Sequence, residues 1–444
     1  MSKSLYLKKG LDIPLAGAAV PEVIKIVTPD TVAVKPSDFK GFLPRLLVKE
    51  GDPVKAGSPL MADKTTPEIL LTSPVSGSVS GIVRGEKRKL LAVLVKADGK
   101  GEAVDFGVKA PTSADEIRKL LLESGLWVSI IQRPYGVMAR PDASPKAIFV
   151  SSFSTAPLAA DTDFTLGEDI SSIQAATDAL GFIAPVHVSI PASKSASTPF
   201  HKLENVTLHE VSGRHPAGNV GVQISHISPI LKGDCVWTVS PLLLAAIGRL
   251  IKTGNLNLAR KVAVTGPAAT KNAYVQCLPG TPVSEIAHVM PGVRVIGGDA
   301  LSGEILGAGG YLGFFQDQLT LLTEGTAREW FGWAKPFRPK VHSSSWSYFS
   351  WLTPGKKYDM DTNLHGGQRA FVQTKCFEDV TPMDIYPIYL IKACLAGDIE
   401  KMEKFGIYEV LPEDLALCDY VDPSKNEIQA IIQSGIDLMI KEMA

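Results

Sequence analysis

Two similar half-units near the start of the chain constrain its fold most strongly. They are VKEGDPVKAGSPL, residues 48–60, and TSPVSGSVSGIVRG, residues 72–85. Each has a glycine-bearing turn followed by valine, leucine or isoleucine at alternate positions, as half-buried strands require. Paired half-units of this kind are typical of a flattened barrel made of two interlocking hairpins. We therefore predict such a barrel in a first domain that includes the N-terminal segment and spans residues 1–105.

The rest of the chain divides into three further units, so the predicted fold class is α/β multidomain. Residues 106–256 alternate helices with short apolar strands, which predicts an open, Rossmann-like α/β sheet. One such helix is SADEIRKLLLESG, with Ser113 as its cap and Gly125 as its stop. Residues 257–328 return to strands with glycine turns, among them RKVAVTG and GVRVIGG, around a helix-like TPVSEIAHVM. This ββαβ order is compatible with a β-grasp (SLBB-like) unit. Residues 329–444 begin aromatic and proline-rich and end in helices such as MDIYPIYLIKACLAGD and NEIQAIIQSGIDLMIKEM, which predicts a helical C-terminal domain.

The composition excludes several classes of function. Lysine and arginine together number 45 and aspartate and glutamate 46, so no basic field favours nucleic acid. Five cysteines lie far apart without a C-x-x-C pair, which predicts free thiols and argues against a disulfide framework or a zinc ribbon. The N-terminus lacks the apolar core of a signal peptide, and the most apolar run, Val239–Ile251, is too short to span a bilayer and is predicted to be a buried helix. We expect any work at a membrane to go through a partner.

Three candidate sites can be weighed from the residues alone. The half-units resemble the biotinyl/lipoyl-type domain, in which a lysine placed like Lys64 carries a swinging arm. The spacers on either side of Lys64 do not match that geometry, which favours an exposed lysine on a scaffold. Four histidines between residues 201 and 226 lack the helical i, i+4 pairing of a metal site. The run GAGGYLG is followed by another strand-like segment, so it offers no helix N-terminus to a phosphate.

The stretch EDLALCDYVDPSKNEI has the spacing of a ferredoxin-type cluster loop. On the pattern C-x2-C-x2-C-x3-C-P it places Pro412, Leu415, Cys418 and Asp422 at the four ligand positions, with Pro423 after them. One of four thiolates is therefore present. Taken alone, this pattern favours a polar turn between two helical segments with Cys418 as a small core residue.

Three stretches in order along the chain resemble one family. KKGLDIPLAG, SPVSGSV and TLHEVSGRHPAGNVGVQISHISP are similar to the A subunit of the sodium-translocating NADH:quinone reductase, and HPAG at His215–Gly218 is the most specific mark. The resemblance implies one component of a respiratory translocase that moves electrons from NADH to ubiquinone or another quinone and exports sodium. It implies a peripheral position on the cytoplasmic side of the bacterial inner membrane. The partners would be the other subunits, including membrane-embedded ones, which carry the flavins and the iron–sulfur centre.

The family is related to the C subunit of the Rnf complex and to the flavoprotein subunit of respiratory complex I. Those relatives carry a glycine-rich flavin loop, which corresponds here to GLWVSIIQRPYGVMARPD, residues 125–142. Side chains at Ile130, Ile131, Gln132, Arg133 and Tyr135 would fill the space that a flavin ring must enter. The resemblance therefore predicts no redox cofactor in this chain and no catalysis by the chain alone, with contact to quinone left open.

The same resemblance makes the Cys418 stretch a cluster loop that has lost three thiolates. We expect a ferredoxin-like bend between two helices, with Cys418 at the third position, Asp422 at the fourth and no metal inside. The former flavin cleft could persist as a cavity lined by Arg133, Tyr135, Arg140 and His215. The alternative roles for these four are ion pairs and caps for the arginines and the ordering of a turn for His215.

Aromatic residues of the segment from Trp330 to Trp351 are candidates either for an interface with partner subunits or for the core of the C-terminal domain. The named aromatics between them are Trp333, Phe337, Trp346, Tyr348 and Phe349. Two other functions remain open at this point. One is a stand-alone flavoprotein that oxidises NADH, and the other is an acyl-carrier scaffold that uses Lys64.

Overall fold

The computed structural model describes residues 3–443 except 109, 327–329, 333–334, 336–337, 339–340, 344–346 and 372–374, and except the side chains of residues 347–349 and 443. Within the described residues the strands form four sheets. The strands are β1 Ser4–Leu7, β2 Val23–Ile26, β3 Thr31–Val34, β4 Pro44–Leu46, β5 Pro53–Val54, β6 Pro59–Asp63, β7 Leu70–Thr72, β8 Gly77–Arg84, β9 Leu90–Ala97, β10 Ile131–Arg133, β11 Val137–Met138, β12 Ile148–Ser151, β13 Val186–Pro191, β14 Thr207–Gly213, β15 Val236–Thr238, β16 Arg260–Thr265, β17 Ala273–Cys277, β18 Val293–Gly297, β19 Glu304–Ile305 and β20 Gln318–Thr323.

The α-helices lie mainly between the strands of the second unit and at the end of the chain. They are α1 Ala114–Ser124, α2 Thr162–Leu166, α3 Ile170–Gly181, α4 Val220–Ile227, α5 Pro241–Thr253, α6 Val283–Ile286, α7 Cys376–Val380, α8 Pro387–Ala396, α9 Ile399–Phe405, α10 Ala416–Val421 and α11 Ile428–Met443.

The two half-units form a small barrel-like unit from two sheets. One sheet has the order β3-β9-β8-β5 and the other the order β4-β6-β7. The first half-unit supplies β5 to one sheet and β6 to the other, and the two sheets share a core that includes Leu60, Val79 and Val93. Gly77 is required at the start of β8, because a Cβ there would lie 1.9 Å from the carbonyl oxygen of Lys96. The predicted pattern of turns and half-buried strands is therefore confirmed.

The second unit is built on a seven-stranded sheet of order β1-β14-β13-β12-β15-β10-β11. The strands from β1 to β15 in that order are parallel, and β10 and β11 are antiparallel to their neighbours. After β12 the chain builds β13 and β14 on one side and then returns to place β15 on the other side. The strand order therefore reverses between β12 and β15, which is where ligand crevices lie in open α/β sheets.

Helices cover both faces of this sheet, because its strands carry apolar side chains on both sides. In β12, Ile148 and Val150 join the core that contains α3 and α5. Phe149 between them points to the opposite core, which contains α4 and the C-terminal helices. The predicted helix with Ser113 as its cap is confirmed as α1, since the Ser113 side chain accepts a hydrogen bond from the Glu116 amide and Gly125 is left-handed.

The third unit is a six-stranded sheet of order β19-β18-β20-β16-β17-β2. The strands expected in RKVAVTG and GVRVIGG are confirmed as β16 and β18. The helix expected in TPVSEIAHVM shrinks to the single turn of α6, because Ala287 already has extended backbone angles. The strand β2 from the N-terminal segment pairs in parallel with β17 and completes the sheet edge.

The C-terminal helices α7 to α11 pack on one another and on α4, around buried residues such as Phe377, Leu390 and Met402. The helices expected in MDIYPIYLIKACLAGD and NEIQAIIQSGIDLMIKEM are confirmed as α8 and α11. In the described part of the chain, none of the helices combines the length and the apolar character that crossing a membrane requires.

Candidate functional site

A cavity of about 420 Å³ opens where the strand order reverses, and we call it the switch-point cavity. Ser151 at the end of β12 and Ser240 after β15 form one side of it. The opposite side comes from the third unit, at Gly297–Gly298 after β18 and at Gln316–Gln318 where β20 begins. Its volume lies within the range of small-molecule sites. The fold therefore places a ligand-sized space at the position that open α/β sheets use for binding.

Hydrogen bonds fix the two loops that border the cavity. The Ser151 hydroxyl donates to the carbonyls of Phe153 and Gly218 and accepts from the side-chain amide of Gln223, each at 2.9 Å. Ser240 caps α5 by accepting from the Leu243 amide, and Pro241 follows as the first helical residue. Both hydroxyls form hydrogen bonds within the protein, so their role in the structure is to stabilise the cavity wall.

The charged lining of the switch-point cavity is mainly acidic. Its carboxylates are Asp299, Glu304, Asp317 and Glu413, and its one lysine or arginine among the described residues is Lys261. Burial raises the pKa of Asp317, although Arg260 nearby opposes the shift. The Asp317 side chain remains accessible to solvent, while protein surrounds it closely enough to disfavour its charged form. Burial also raises the pKa of Glu413 against the effect of Arg133.

Arg133 does not line this cavity but holds one of its residues. Its guanidinium is buried and pairs with Glu413 and Asp414, each with a nitrogen–oxygen distance of 2.9 Å. A Cβ at Gly221 would lie 2.2 Å from an Arg133 nitrogen, so α4 approaches this ion pair as closely as glycine allows. Arg133 therefore connects the edge of the sheet to the 3₁₀ helix Pro412–Leu415. Glu413 belongs to that helix and also lines the cavity.

Tyr135 and Arg140 lie away from the switch-point cavity. The Tyr135 ring packs edge-on against Tyr408, with ring centroids 6.3 Å apart. Arg140 is exposed and forms an ion pair with Asp142 at 2.9 Å. Neither residue belongs to the lining of this cavity.

His215 is buried and orders a turn. Its ring nitrogen Nδ1 lies 3.2 Å from the Thr155 hydroxyl, and its backbone N–H donates to the Asp12 carboxylate at 3.0 Å. Burial lowers its pKa, and Asp299, Asp12 and Asp414 oppose that shift. The structure thus does not gather the four predicted cleft residues around one space, because ion pairs and a turn occupy them. Arg133 pairs with the cavity residue Glu413, and His215 lies close enough to the cavity residue Asp299 for its charge to affect the His215 pKa.

The stretch that corresponds to the flavin loop is a hairpin at the sheet edge. Ile130 is buried, and Ile131–Arg133 form β10, which pairs with β15 on one side and with β11 on the other. Backbone that is paired on both sides offers no open cradle of N–H groups to a phosphate. The residues present here therefore do not fit a bound flavin mononucleotide.

The Cys418 stretch runs through α10, and the bend toward α11 comes after Val421, so Cys418 lies in a helix and not in the bend. The ferredoxin-like character of this bend stays a prediction. Cys418 lies in α10 with its sulfur 3.7 Å from the Thr381 hydroxyl, and burial raises its pKa. The buried Asp422 carboxylate ends this helix by accepting hydrogen bonds from the Ser424 amide, the Asn426 amide and the Asn426 side chain. Across the described ranges, no three histidine, cysteine or acidic side chains are placed to hold one metal ion.

Lys64 begins the loop between β6 and β7 and is exposed. The preceding Asp63 is buried and accepts hydrogen bonds from the amides of Leu43, Thr65 and Thr66. The Lys64 amide itself donates to the Leu43 carbonyl at 2.8 Å. The loop is thus tied down at its start, and the lysine projects from it as a surface residue.

Part of the aromatic segment can be placed. Trp330 is 83% exposed and Trp351 48% exposed, so neither is a core residue. Trp333, Phe337 and Trp346 lie outside the described residues, as do the side chains of Tyr348 and Phe349.

Sequence reasoning missed the acidic residues Asp299, Asp317 and Glu413 of the switch-point cavity. They come from three segments of the chain, and no motif spacing links them. A usable signal lay in the strands KAIFVSS and VWTVS, since each ends in serine and the second leads directly into the α5 helix. These endings indicate where a crevice forms, but not which residues face it.

Comparison with protein families gives two matches. Residues 5–98 match the NqrA N-terminal barrel-sandwich hybrid domain, and residues 112–256 match the NqrA second alpha/beta domain. Among individual proteins, the chain is 34% identical over 447 residues to the A subunit of the Na(+)-translocating NADH-quinone reductase of Neisseria meningitidis serogroup A, covering 99% of this chain and 100% of that protein. It is 36% identical over 441 residues to the corresponding subunit of Pseudomonas aeruginosa strain PAO1, covering 97% and 98%.

Among solved structures, the chain is similar to an NAD+-reducing [NiFe]-hydrogenase in its air-oxidized state. The identity is 12% with a TM-score of 0.37, and the match covers 73% of this chain and 66% of that one.

Proposed function

This chain belongs to the family of the A subunit of the Na(+)-translocating NADH-quinone reductase, and we propose that it is a peripheral, cofactor-free component of that complex. The observation that carries the proposal is the match to the relatives over 97–99% of the chain. In this proposal the chain lies on the cytoplasmic side of the bacterial inner membrane. The complex passes electrons from NADH to quinone and exports sodium, and other subunits supply the flavins, the iron–sulfur centre and the membrane spans.

The hairpin at residues 130–138 supports the cofactor-free part of the proposal. Arg133 and its partners Glu413 and Asp414 fill the space beside β10 with paired charges. A flavin placed there would have to break a buried ion pair, which costs about 3–5 kcal/mol when one partner loses the other. We expect the purified chain to be colourless, free of iron and inactive in NADH oxidation. A flavin absorption band that is released on denaturation would contradict this and favour the stand-alone flavoprotein.

The peripheral position is tested on membranes that carry the whole complex. We expect alkaline carbonate to release the chain while membrane-embedded partners stay in the pellet. Added protease should degrade it in inverted vesicles and leave it intact in right-side-out ones. A chain that resists carbonate extraction, or is cleaved only in right-side-out vesicles, would contradict the proposal.

The exposed aromatic side chains support contact with partner subunits. Trp330 is more exposed than large aromatic residues usually are in a folded chain, and such residues are enriched in interface cores. We expect Trp330→Ala to weaken co-purification with the other subunits. Leu231→Ala is the matched control, because Leu231 is 67% exposed but lies elsewhere on the chain. Equal effects of the two changes would remove Trp330 from the interface.

Quinone contact and lipoyl attachment have separate tests. Because the relatives are quinone reductases, we propose that the chain contributes to quinone binding within the complex, and a photoreactive quinone should then label it there. A complex labelled only on other subunits would contradict that. Lys64 should be unmodified, so an intact mass equal to the bare chain is expected, and an added lipoyl mass would favour the carrier scaffold.

A further inference from the structure

We infer that the tip of the β8–β9 hairpin binds the anionic phospholipid surface of the membrane. The tip consists of residues 84–89, with the sequence RGEKRK, and we call it the basic tip. The inference rests on the proposed function, because that function brings the chain to a membrane. The proposed function places the chain beside membrane-embedded partners, and the inference adds a direct contact with the lipid.

The first reason is that the hairpin extends beyond the rest of its sheet. β5 pairs with β8 only at Gly77 and Ser78, at the start of that strand. β3 pairs with β9 only over residues 93–96, at the end of that strand. Next to the tip, residues 83–84 pair with residues 90–92 and, within the described residues, with no other strand. The basic tip therefore lies at the end of a two-stranded arm, where an extended surface can reach it.

The second reason is an excess of positive charge without ion pairs. The tip has four basic side chains, those of Arg84, Lys87, Arg88 and Lys89, and all four are exposed. Among the described residues, none of them pairs with a carboxylate, and the Arg84 guanidinium donates to the Arg88 carbonyl at 3.2 Å. Four exposed cations against the single carboxylate of Glu86 complement a surface of phosphate groups.

The third reason is that the turn carries residues which its backbone disfavours. The Lys89 amide donates to the Glu86 carbonyl at 3.0 Å, and Lys87 and Arg88 between them have φ angles of 51° and 60°. Hairpin turns with two left-handed residues strongly favour asparagine and glycine, because longer side chains are strained there. The chain therefore loses stability by placing two cations at these positions. Backbone strain of this kind is concentrated at functional sites.

The fourth reason is the apolar surface beside the tip, which favours lipid over other polyanions. Val83 on β8 is 39% exposed and Leu91 on β9 is 41% exposed. A Cβ at Gly85 would lie 3.1 Å from a methyl carbon of Leu91, so Leu91 packs against the base of the tip. Cations beside exposed aliphatic side chains are typical of binding at the membrane interface, where headgroups meet acyl chains. An acidic polypeptide or a nucleic acid would be bound by the cations alone.

The experiment measures sedimentation of the full chain with lipid vesicles at low salt. One set contains phosphatidylglycerol mixed with phosphatidylcholine, and the other contains phosphatidylcholine alone. We expect binding to the anionic vesicles only, with a steep decrease as sodium chloride is added, because salt screens charges at an exposed surface. A chain that stays in the supernatant with both kinds of vesicle would overturn the inference.

A double variant of the turn tests the basic tip itself. Lys87→Asn with Arg88→Gly removes two cations and supplies the residues that this backbone favours, so it should melt at the same temperature as the parent or higher. Its binding to anionic vesicles should be about thirtyfold weaker, given the usual contribution of two basic residues near such a surface.

The matched control removes two cations elsewhere. Lys119 and Lys375 are exposed on helix α1 and just before α7, and their contacts with Glu123 and Asp379 are weak surface ion pairs at 3.8 and 4.0 Å. Lys119→Gln with Lys375→Gln should bind the anionic vesicles as the parent does. If the control loses as much binding as the turn variant, the attraction comes from net charge and the inference is wrong.

Two further measurements test the class of partner. Leu91→Gln keeps the charge and nearly the size of the side chain but removes apolar surface, so it should weaken vesicle binding severalfold. Polyglutamate at an equal concentration of charges should displace the chain from the vesicles only weakly. Unchanged vesicle binding of Leu91→Gln together with tight competition by polyglutamate would make the basic tip a site for an acidic polypeptide, which would overturn the inference.

The inference and the proposed function fail in different assays. A chain that co-purifies with the other subunits but does not bind anionic vesicles would overturn the inference and leave the proposed function in place. A chain that binds the vesicles through the basic tip but never co-purifies with those subunits would contradict the proposed function and still support the lipid contact.

Discussion

Replacing Gly248 by alanine tests how closely the helices α3 and α5 must approach each other. Gly248 lies in the middle of α5, where alanine normally stabilises a helix by about 1 kcal/mol relative to glycine. Here a Cβ would lie 1.7 Å from the carbonyl oxygen of Ser172 in α3 and 2.3 Å from its carbonyl carbon. Both atoms belong to the backbone, so no side chain can rotate away.

The size of the effect follows from the distance that the helices must move. Non-bonded heavy atoms settle at about 3.5 Å, so α3 and α5 would have to separate by roughly 1.5–2 Å. Such overpacking costs about 1–3 kcal/mol and occasionally more. The gain in helix propensity offsets part of this, and the movement also loosens the buried residues of α5. We expect a net loss of about 2 kcal/mol in the free energy of unfolding.

The assay is urea unfolding followed by tryptophan fluorescence. Trp127 and Trp237 are fully buried in the same core as α3 and α5, with ring centroids 5.5 Å apart, so they report on this unit. Gly181→Ala is the matched control, because Gly181 ends α3 and a Cβ there would meet nothing within 4 Å. That variant should be as stable as the parent or slightly more stable. A Gly248→Ala chain at least as stable as Gly181→Ala would refute the reasoning.

Three other changes have expected outcomes. Arg133→Met should lower the free energy of unfolding by about 3–5 kcal/mol, because it leaves the buried Asp414 carboxylate unpaired. In urea titrations, the double variant Arg133→Met with Asp414→Leu should recover most of that loss. Burial and repulsion by Asp384 raise the pKa of Glu409 to about 7. The parent should therefore lose stability as the pH rises from about 4.5 through 7, because the native state must give up a proton that it binds more tightly than the unfolded chain does. In thermal melts across that range, Glu409→Gln should show a flatter dependence of stability on pH. A steeper profile in the variant would contradict this. Cys418 should resist thiol reagents in the native chain, because burial raises its pKa, and mass mapping should find it modified only after denaturation.

Local patterns were enough to predict most of the secondary structure. The caps at Ser113 and Gly125 bounded α1 in the sequence and in the structure. The helix expected around Val239–Ile251 is α5, whose buried length matches its apolar run. These signals work because a cap or an apolar period acts within a few residues of itself. The helix expected across TPVSEIAHVM is a single turn in the structure. The spacing of apolar residues within a segment does not show where pairing with distant parts of the chain begins.

Sheet membership of the N-terminal segment could not be predicted. The strand β1 pairs with β14, and β2 pairs with β17, each about two hundred residues or more along the chain. Strand pairing uses backbone N–H and C=O groups, which every residue except proline carries in full. The sequence of a short strand therefore does not name its partner.

Some features of the candidate site also follow from the sequence, and others depend on the fold. The sequence by itself determined that the stretch with Arg133, Tyr135 and Arg140 lacks the glycines of a flavin loop, and that Cys418 lacks the companion thiolates of a cluster. Only the tertiary structure decided that Arg133 would pair with Glu413 and Asp414, 280 and 281 residues away. It alone placed acidic side chains from distant segments around the space between two sheets. The physical reason is that charges act through space, so their partners are set by how distant segments pack and not by spacing along the chain.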